Sequence, residues 1–331
     1  MKSKSNRLLT YVVMLVIFWF IISFLIIPNI QILITTLFEN GHFSTDAFKK
    51  IVNSPRALNS IKNSFILAIC LSITANAIGI FLVLLIDYFQ LRGQKLLFIG
   101  YASTLVFSGI VLANGYQFVY GKNGVITQLL LNVFPNLDIA WFEGFFGVLF
   151  TMTFATTSLH MLLLRDAFKN IDYQTVEAAK NLGAGHFTII TKIIVPALKP
   201  YLITLTILLF QTGLGAMSAP LILGGRDFQT ISPMILNFTN NPNSRDLAAL
   251  LSIILGVAQL ILLSFALYIE RKSKVISGSK VKTSFKKQKL HNPILNIIIH
   301  IIAWLLFIIY ALPPVCVIIF TFLPTDNITS G

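Results

Sequence analysis

Deep inside the long apolar stretches of this chain the only imidazoles are His160 and His300, with His291 at the very edge of the last stretch, and neither of the two has an aspartate or glutamate beside it. Acid–base catalysis or metal binding needs several such groups to converge, because a lone imidazole has nothing to set its proton or complete a coordination shell. Isolated as they are, both read as packed or interfacial side chains. H-E-x-x-H, C-x-x-C and G-x-S-x-G are all missing from the sequence, and with them the usual metal, redox and nucleophile signatures. Cys70 and Cys316 both fall in apolar runs, where a thiol packs as a small hydrophobe and says little about redox compartment.

A phosphate-binding loop needs G-x-x-x-x-G-K-[ST], so that backbone amides cradle phosphate and a hydroxyl meets the metal. GYQFVYGKN, from Gly115 to Asn123, has five residues between its glycines and Asn where Ser or Thr is required. It is a chance resemblance, and the chain carries no visible means of hydrolysing ATP. GLGAMSAPLILGG, from Gly213 to Gly225, is the other glycine-rich stretch. Either its small residues let helices approach closely, or Gly213, Gly215 and Pro220 loosen a span into a gate or path lining, since proline frees a carbonyl that neighbours must satisfy.

The elements that hold these residues follow from polarity. Of the 331 residues 56% are hydrophobic and 11% charged, against about 25% charged in a soluble domain. A helix needs about 20 apolar residues to cross the hydrocarbon core. Seven gaps between charged side chains qualify: 8–38, 63–86, 96–121, 144–164, 200–225, 247–269 and 290–325. They are too long for barrel strands, so the chain is expected to be all-α, a polytopic transmembrane helical bundle. MKSKSNR and the run behind it resemble a signal peptide, but the run is too long and lacks an A-x-A site, which makes it an uncleaved first span.

With the amino terminus inside, the inner segments 1–7, 87–95, 165–199 and 270–293 hold 18 of the 25 Lys and Arg, as the positive-inside rule requires. The net charge of +13 is therefore no sign of nucleic-acid binding. Its densest block, Arg271 to Lys289, sits where attraction to anionic lipid accounts for it. That basic segment also looks like a join between two units. Laid over the first gap with an offset of 285, the seventh matches Trp304 to Trp19, Pro313 to Pro28 and Thr321 to Thr36, the kind of internal repeat common in transporters.

One inner segment is more than a connector. In EAAKNLGAGHFTIITKIIVPALKP, from Glu177 to Pro200, Asp172 upstream can cap a short helix and Gly183 can supply its left-handed stop. A second short helix from about His186 to Val195 then leads to Pro196, which suits the first turn of the next segment. Helix, glycine bend and helix are expected outside the bilayer. Either Ala178 and Ala179 offer a small face to a partner's groove and Glu177 a charge to pair with it, or this is an ordinary amphipathic surface helix pair with Glu177 in solvent.

The spacing E-A-A, three residues, G, nine residues, I, one residue, L-P marks the cytoplasmic loop of permease subunits of binding-protein-dependent ABC importers. This chain resembles that family through Glu177, Ala178, Ala179, Gly183, Ile193 and Pro196, with Val195 in place of Leu. Arg165 and Asp172 ahead of the loop, and APLILGG around Pro220, look like the permeases for ferric iron, thiamine, polyamines and phosphonates. The ferric-iron type, one long chain of two six-span halves, resembles it most in architecture. The resemblance implies a type I importer half over 1–270 with its coupling loop at 165–199, a basic linker at 271–293, and the first span of a second half at 294–331. Either the reading frame continues past Gly331, or the seventh span is an extra helix of a subunit that dimerises.

What the resemblance implies for function is a translocation path without covalent chemistry. The permease would bind no cofactor; ATP and Mg would sit on two separate ABC ATPase subunits that grip the loop at 177–196. An extracytoplasmic solute-binding protein and a second permease half would be its other partners, in a bacterial cytoplasmic membrane with the amino terminus inside. Ferric iron is the substrate suggested by architecture, with thiamine, polyamine or phosphonate as alternatives of the same class. A lipid-modifying membrane enzyme or a membrane scaffold are the readings from other classes.

Overall fold

In the computed structural model, residues 2–39, 42–43, 46–273, 285–290 and 292–322 are described. Almost all of them are helical, the exception among named elements being a two-residue antiparallel pairing of Phe38–Glu39 with His42–Phe43. Among the described residues six helices are long and apolar enough to cross a membrane: Thr10–Thr36, Pro55–Tyr88, Phe145–Phe168, His186–Leu214, Pro242–Arg271 and Pro293–Thr321. They are called here spans one, two, four, five, six and seven.

Span three departs from the straight helix expected over 96–121. Helix Gln94–Val106 bends by 117° into Gly109–Val133. The break is local in origin: Phe107 is extended, and the Ser108 side chain accepts from the Val111 N–H to start a new helix. Span five also differs. It begins at His186 rather than Pro200, so the second short helix of the elbow is the first turns of a membrane helix. A π-helical turn at Ile190–Ile194 precedes Pro196. Such a widened turn accommodates the clash that proline makes with the carbonyl four residues back, and the helix continues.

The chain divides into two compact units. One comprises 1–59 and 234–257; in it, span one carries Trp19, Phe20 and Leu25 exposed, and Lys50 pairs with Asp246 at 2.6 Å on the surface, where an ion pair contributes little. The other comprises 60–233 and 258–331. Span four lies in its core, with Phe154, Thr157, His160, Met161 and Leu164 buried.

Span seven is built into that second unit. The Tyr101 hydroxyl donates to the Ala303 carbonyl at 2.8 Å, and Ser103 Oγ to the Tyr310 carbonyl at 3.2 Å. Thr157 Oγ1 and the Tyr310 hydroxyl also pair. Two glycines make room for span seven: a Cβ on Gly100 would meet the Phe307 ring at 2.2 Å, and one on Gly115 the Pro313 carbonyl oxygen at 2.9 Å. In lipid, where helix association relies on close packing and interhelical hydrogen bonds, this pattern is a built interface.

Candidate functional site

The elbow after span four is assembled by short-range rules. Asp172 Oδ1 accepts from the Gln174 N–H at 3.0 Å and opens the helix Tyr173–Asn181. Gly183 closes it at φ +83°. Its N–H donates to the Lys180 carbonyl at 2.9 Å and that of Ala184 to Ala179 at 3.0 Å, the paired bonds of a Schellman stop. Ala179 and Ala184 then pack together against the core. Of the two alanines expected to face a partner, only Ala178 is exposed; Ala179 is half-buried.

Glu177 and Pro196 are exposed, and Ile193 is half-buried against the core. Flanking Gly183, Leu182 is 88% and Phe187 81% exposed. Two large apolar side chains on a polar elbow form a ready contact for another protein. The motif spacing does not include them, although apolar residues around a glycine bend between lysines are a signal readable in the sequence. Because nothing lies within 4 Å of a Cβ at Gly183, Gly183→Val strains only the backbone. It should cost about 1–2 kcal/mol, lowering the melting temperature in detergent, while Gly183→Asn costs much less; equal losses would refute a purely conformational role.

The elbow is tied to span two at its stem. Arg165 at the end of span four holds Asp87 with two bonds, Nε to Oδ2 at 2.5 Å and Nη2 to Oδ1 at 3.1 Å, and its guanidinium lies 4.4 Å from the centroid of the Phe98 ring. The Tyr88 hydroxyl and His186 Nδ1 are 3.0 Å apart. Asp87 was read only as the end of an apolar gap, although a lone carboxylate at a span end already asks for a cation.

The basic linker contributes as well. Residues 274–284 and 291 of it, like the chain end 323–331, lie outside the described residues. Phe285 enters an aromatic cluster with Phe168, Tyr173 and Tyr88, at centroid distances of 4.7, 5.3 and 6.0 Å. Gln288 is 3% exposed. Its N–H donates to the Tyr88 carbonyl at 2.7 Å and its own carbonyl accepts from Gln90 at 2.9 Å, while its side-chain oxygen accepts from Lys180 Nζ at 2.8 Å. Lys287 Nζ donates to Gln94 Oε1 at 2.6 Å. Desolvation lowers the affinity of that ammonium for its proton, Asp87 raises it, and Arg165 lowers it again. This part of the linker is thus strapped to the elbow helix and to the end of span two.

Spans three, four and five and the short helix Ser218–Leu223 line a half-open cavity of about 530 Å³ whose wall includes Thr151, Thr156, His160, Leu205, Thr212 and Gly215. Among the described residues, Thr151 Oγ1 and His160 Nε2 are buried without a hydrogen-bond partner, and the imidazole lies where a Cβ on Gly79 would be, 2.2 Å from its Cδ2. Of the residues considered as path lining, Gly215 is in this wall and Gly213 and Pro220 are not. Gly213 instead admits the backbone of span two, since a Cβ there would meet Ala68 Cα at 2.5 Å. Pro220 is buried in the first turn of Ser218–Leu223, where its missing N–H costs nothing. The helix break itself falls at Gly215–Met217.

A protein of Sinorhizobium fredii called "Probable ABC transporter permease protein y4fN" is 35% identical over 328 residues, 99% of this chain and 58% of that protein. The ferric transport system permease protein FbpB of Actinobacillus pleuropneumoniae is 26% identical over 226 residues, 67% of this chain and 32% of that protein. The chain therefore spans between a third and three-fifths of the length of these relatives. In fold, it is similar to a chain in the crystal structure of a bacterial alginate ABC transporter in complex with alginate pentasaccharide-bound periplasmic protein. That match has a TM-score of 0.66 at 19% identity and covers 85% of this chain and 99% of the other. Residues 3–275 match the family described as binding-protein-dependent transport system inner membrane component, and to that family of membrane transport subunits the chain belongs.

Proposed function

We propose that this chain is the permease part of an ATP-driven solute importer of the bacterial cytoplasmic membrane, with its amino terminus inside. Residues 1–270 form one permease half, 271–293 a linker that partly docks on it, and 294–331 the first span of a second half. A solute-binding protein meets the outer loops. Two ATPase subunits, which carry the ATP and Mg, meet the elbow.

The observation that carries this reading is the elbow itself: Glu177, Ala178, Leu182 and Phe187 stand exposed around the rigid bend at Gly183. Glu177 supplies a charge and the apolar pair an anchor for the ATPase. ATP binding then biases inward-open against outward-open states through that contact, as linkage requires. The cavity lined by Gly215 is this half's share of the path. Ferric iron, named for FbpB, is the solute to test first.

The test uses the full chain with its ATPase subunits in vesicles. Glu177→Arg should leave membrane insertion intact and abolish ATP-dependent uptake together with ATPase co-purification. Unchanged uptake and unchanged co-purification would refute the coupling role.

A further inference from the structure

Where the linker meets span seven, a second pocket of about 630 Å³ opens beside the chain segment 90–92. Arg92 and Lys289 stand on its wall with Asn296 and His300, and Ile297 and Ile301 continue it along span seven. We propose that this pocket is a binding site for an anionic phospholipid, its headgroup phosphate held by Arg92 and Lys289 and an acyl chain lying on Ile297 and Ile301.

The walls are fixed by the fold. His300 Nδ1 lies 2.7 Å from the Asn296 carbonyl and Nε2 accepts the Arg92 backbone N–H at 3.2 Å. The tautomer with its hydrogen on Nδ1 satisfies both bonds. That pair of bonds pins residue 92 to span seven. Gly93 at φ +77° turns the chain directly afterwards, with the Trp304 ring 3.1 Å from where a Cβ would be. On the other side, the bridge between Phe89 and Gln288 fixes the backbone next to Lys289.

The two cations are free to take a ligand. Both are exposed, and among the described residues neither is paired with a carboxylate. Two unpaired cations facing one pocket repel each other unless an anion sits between them, and a guanidinium fits phosphate oxygens through two parallel N–H donors.

The apolar side decides which anion. Ile297 is 60% and Ile301 61% exposed; four residues apart, they share one face of the helix. A free phosphate makes no use of that face. A phospholipid at the membrane boundary satisfies cations and isoleucines together, as basic pockets beside transmembrane helices do.

The experiment purifies the full chain from mixed micelles of phosphatidylglycerol and phosphatidylcholine and measures retained lipid by mass spectrometry. Wild type should retain phosphatidylglycerol in preference. Arg92→Gln with Lys289→Gln should lower that preference about thirtyfold, at about 1 kcal/mol per cation, while Lys95→Gln, an exposed cation outside the pocket, leaves it unchanged. If the double variant does not fold, Lys289→Gln alone should lower it about fivefold. An unchanged preference, or an equal loss in Lys95→Gln, overturns the proposal. So does displacement of the lipid by inorganic phosphate alone, which would mark a free-anion site. None of these outcomes depends on the importer reading.

Discussion

Asp87→Ala should cost about 3 kcal/mol of stability, seen as a large fall in melting temperature in detergent. The side chains of Arg165 and Asp87 are only 24% and 13% exposed. Removing one partner therefore leaves a desolvated charge without its hydrogen-bonded counterion, which costs about 3–5 kcal/mol when burial is complete. Arg165→Ala should cost as much or more, since it also gives up the ring of Phe98. The informative variant is the double one. Asp87→Leu with Arg165→Met keeps the volume and removes both charges, and should lose far less than the two single losses together. Singles that melt like wild type would show that water reaches the pair freely.

Gly115→Val should prise span seven from the helix Gly109–Tyr120. The added Cβ would stand 2.9 Å from the Pro313 carbonyl oxygen and 3.0 Å from Val317 Cγ2, and backbone cannot rotate away as a side-chain tip can. Overpacking of this kind costs about 1–3 kcal/mol. The separation has its own readout, because Cys316 is buried in span seven while Cys70 is partly accessible. In Gly115→Val a maleimide should label Cys316 several-fold faster and Cys70 at its old rate. Unchanged labelling of Cys316 would mean that the contact yields elsewhere.

What the sequence could disclose followed from the range of each interaction. Asp172, Gly183 and the six spaced positions of the elbow act on neighbours within a few residues, so their spacing alone announces cap, stop and bend. The membrane spans were legible because hydrocarbon demands long apolar runs. Charge spacing is blind to direction, however, and so the bend of span three, set by Phe107 and Ser108, passed for a straight crossing. It is equally blind to continuity, which is why the start of span five was set at Pro200 when its first turns lie in the elbow. The pairing of Asp87 with Arg165, 78 positions apart, and of Lys180 with Gln288, 108 apart, depends on the finished fold. Ala179 shows the finer limit: the same small residue suits a partner's groove or the inner side of a Schellman stop, and only the backbone decides.

The packing of span seven bears on how the molecule can be dissected. Composition places the natural seam at the basic linker, and a six-helix fragment ending there would look like a complete unit. Such a fragment would leave the Tyr101 hydroxyl without the Ala303 carbonyl and Thr157 without Tyr310, and expose to lipid the clefts at Gly100 and Gly115 that Phe307 and Pro313 occupy. Gln288 would be gone from beneath Lys180 as well. Span seven therefore packs in the same compact unit as span four, and the seam that composition suggests at the linker is not a seam in the packing.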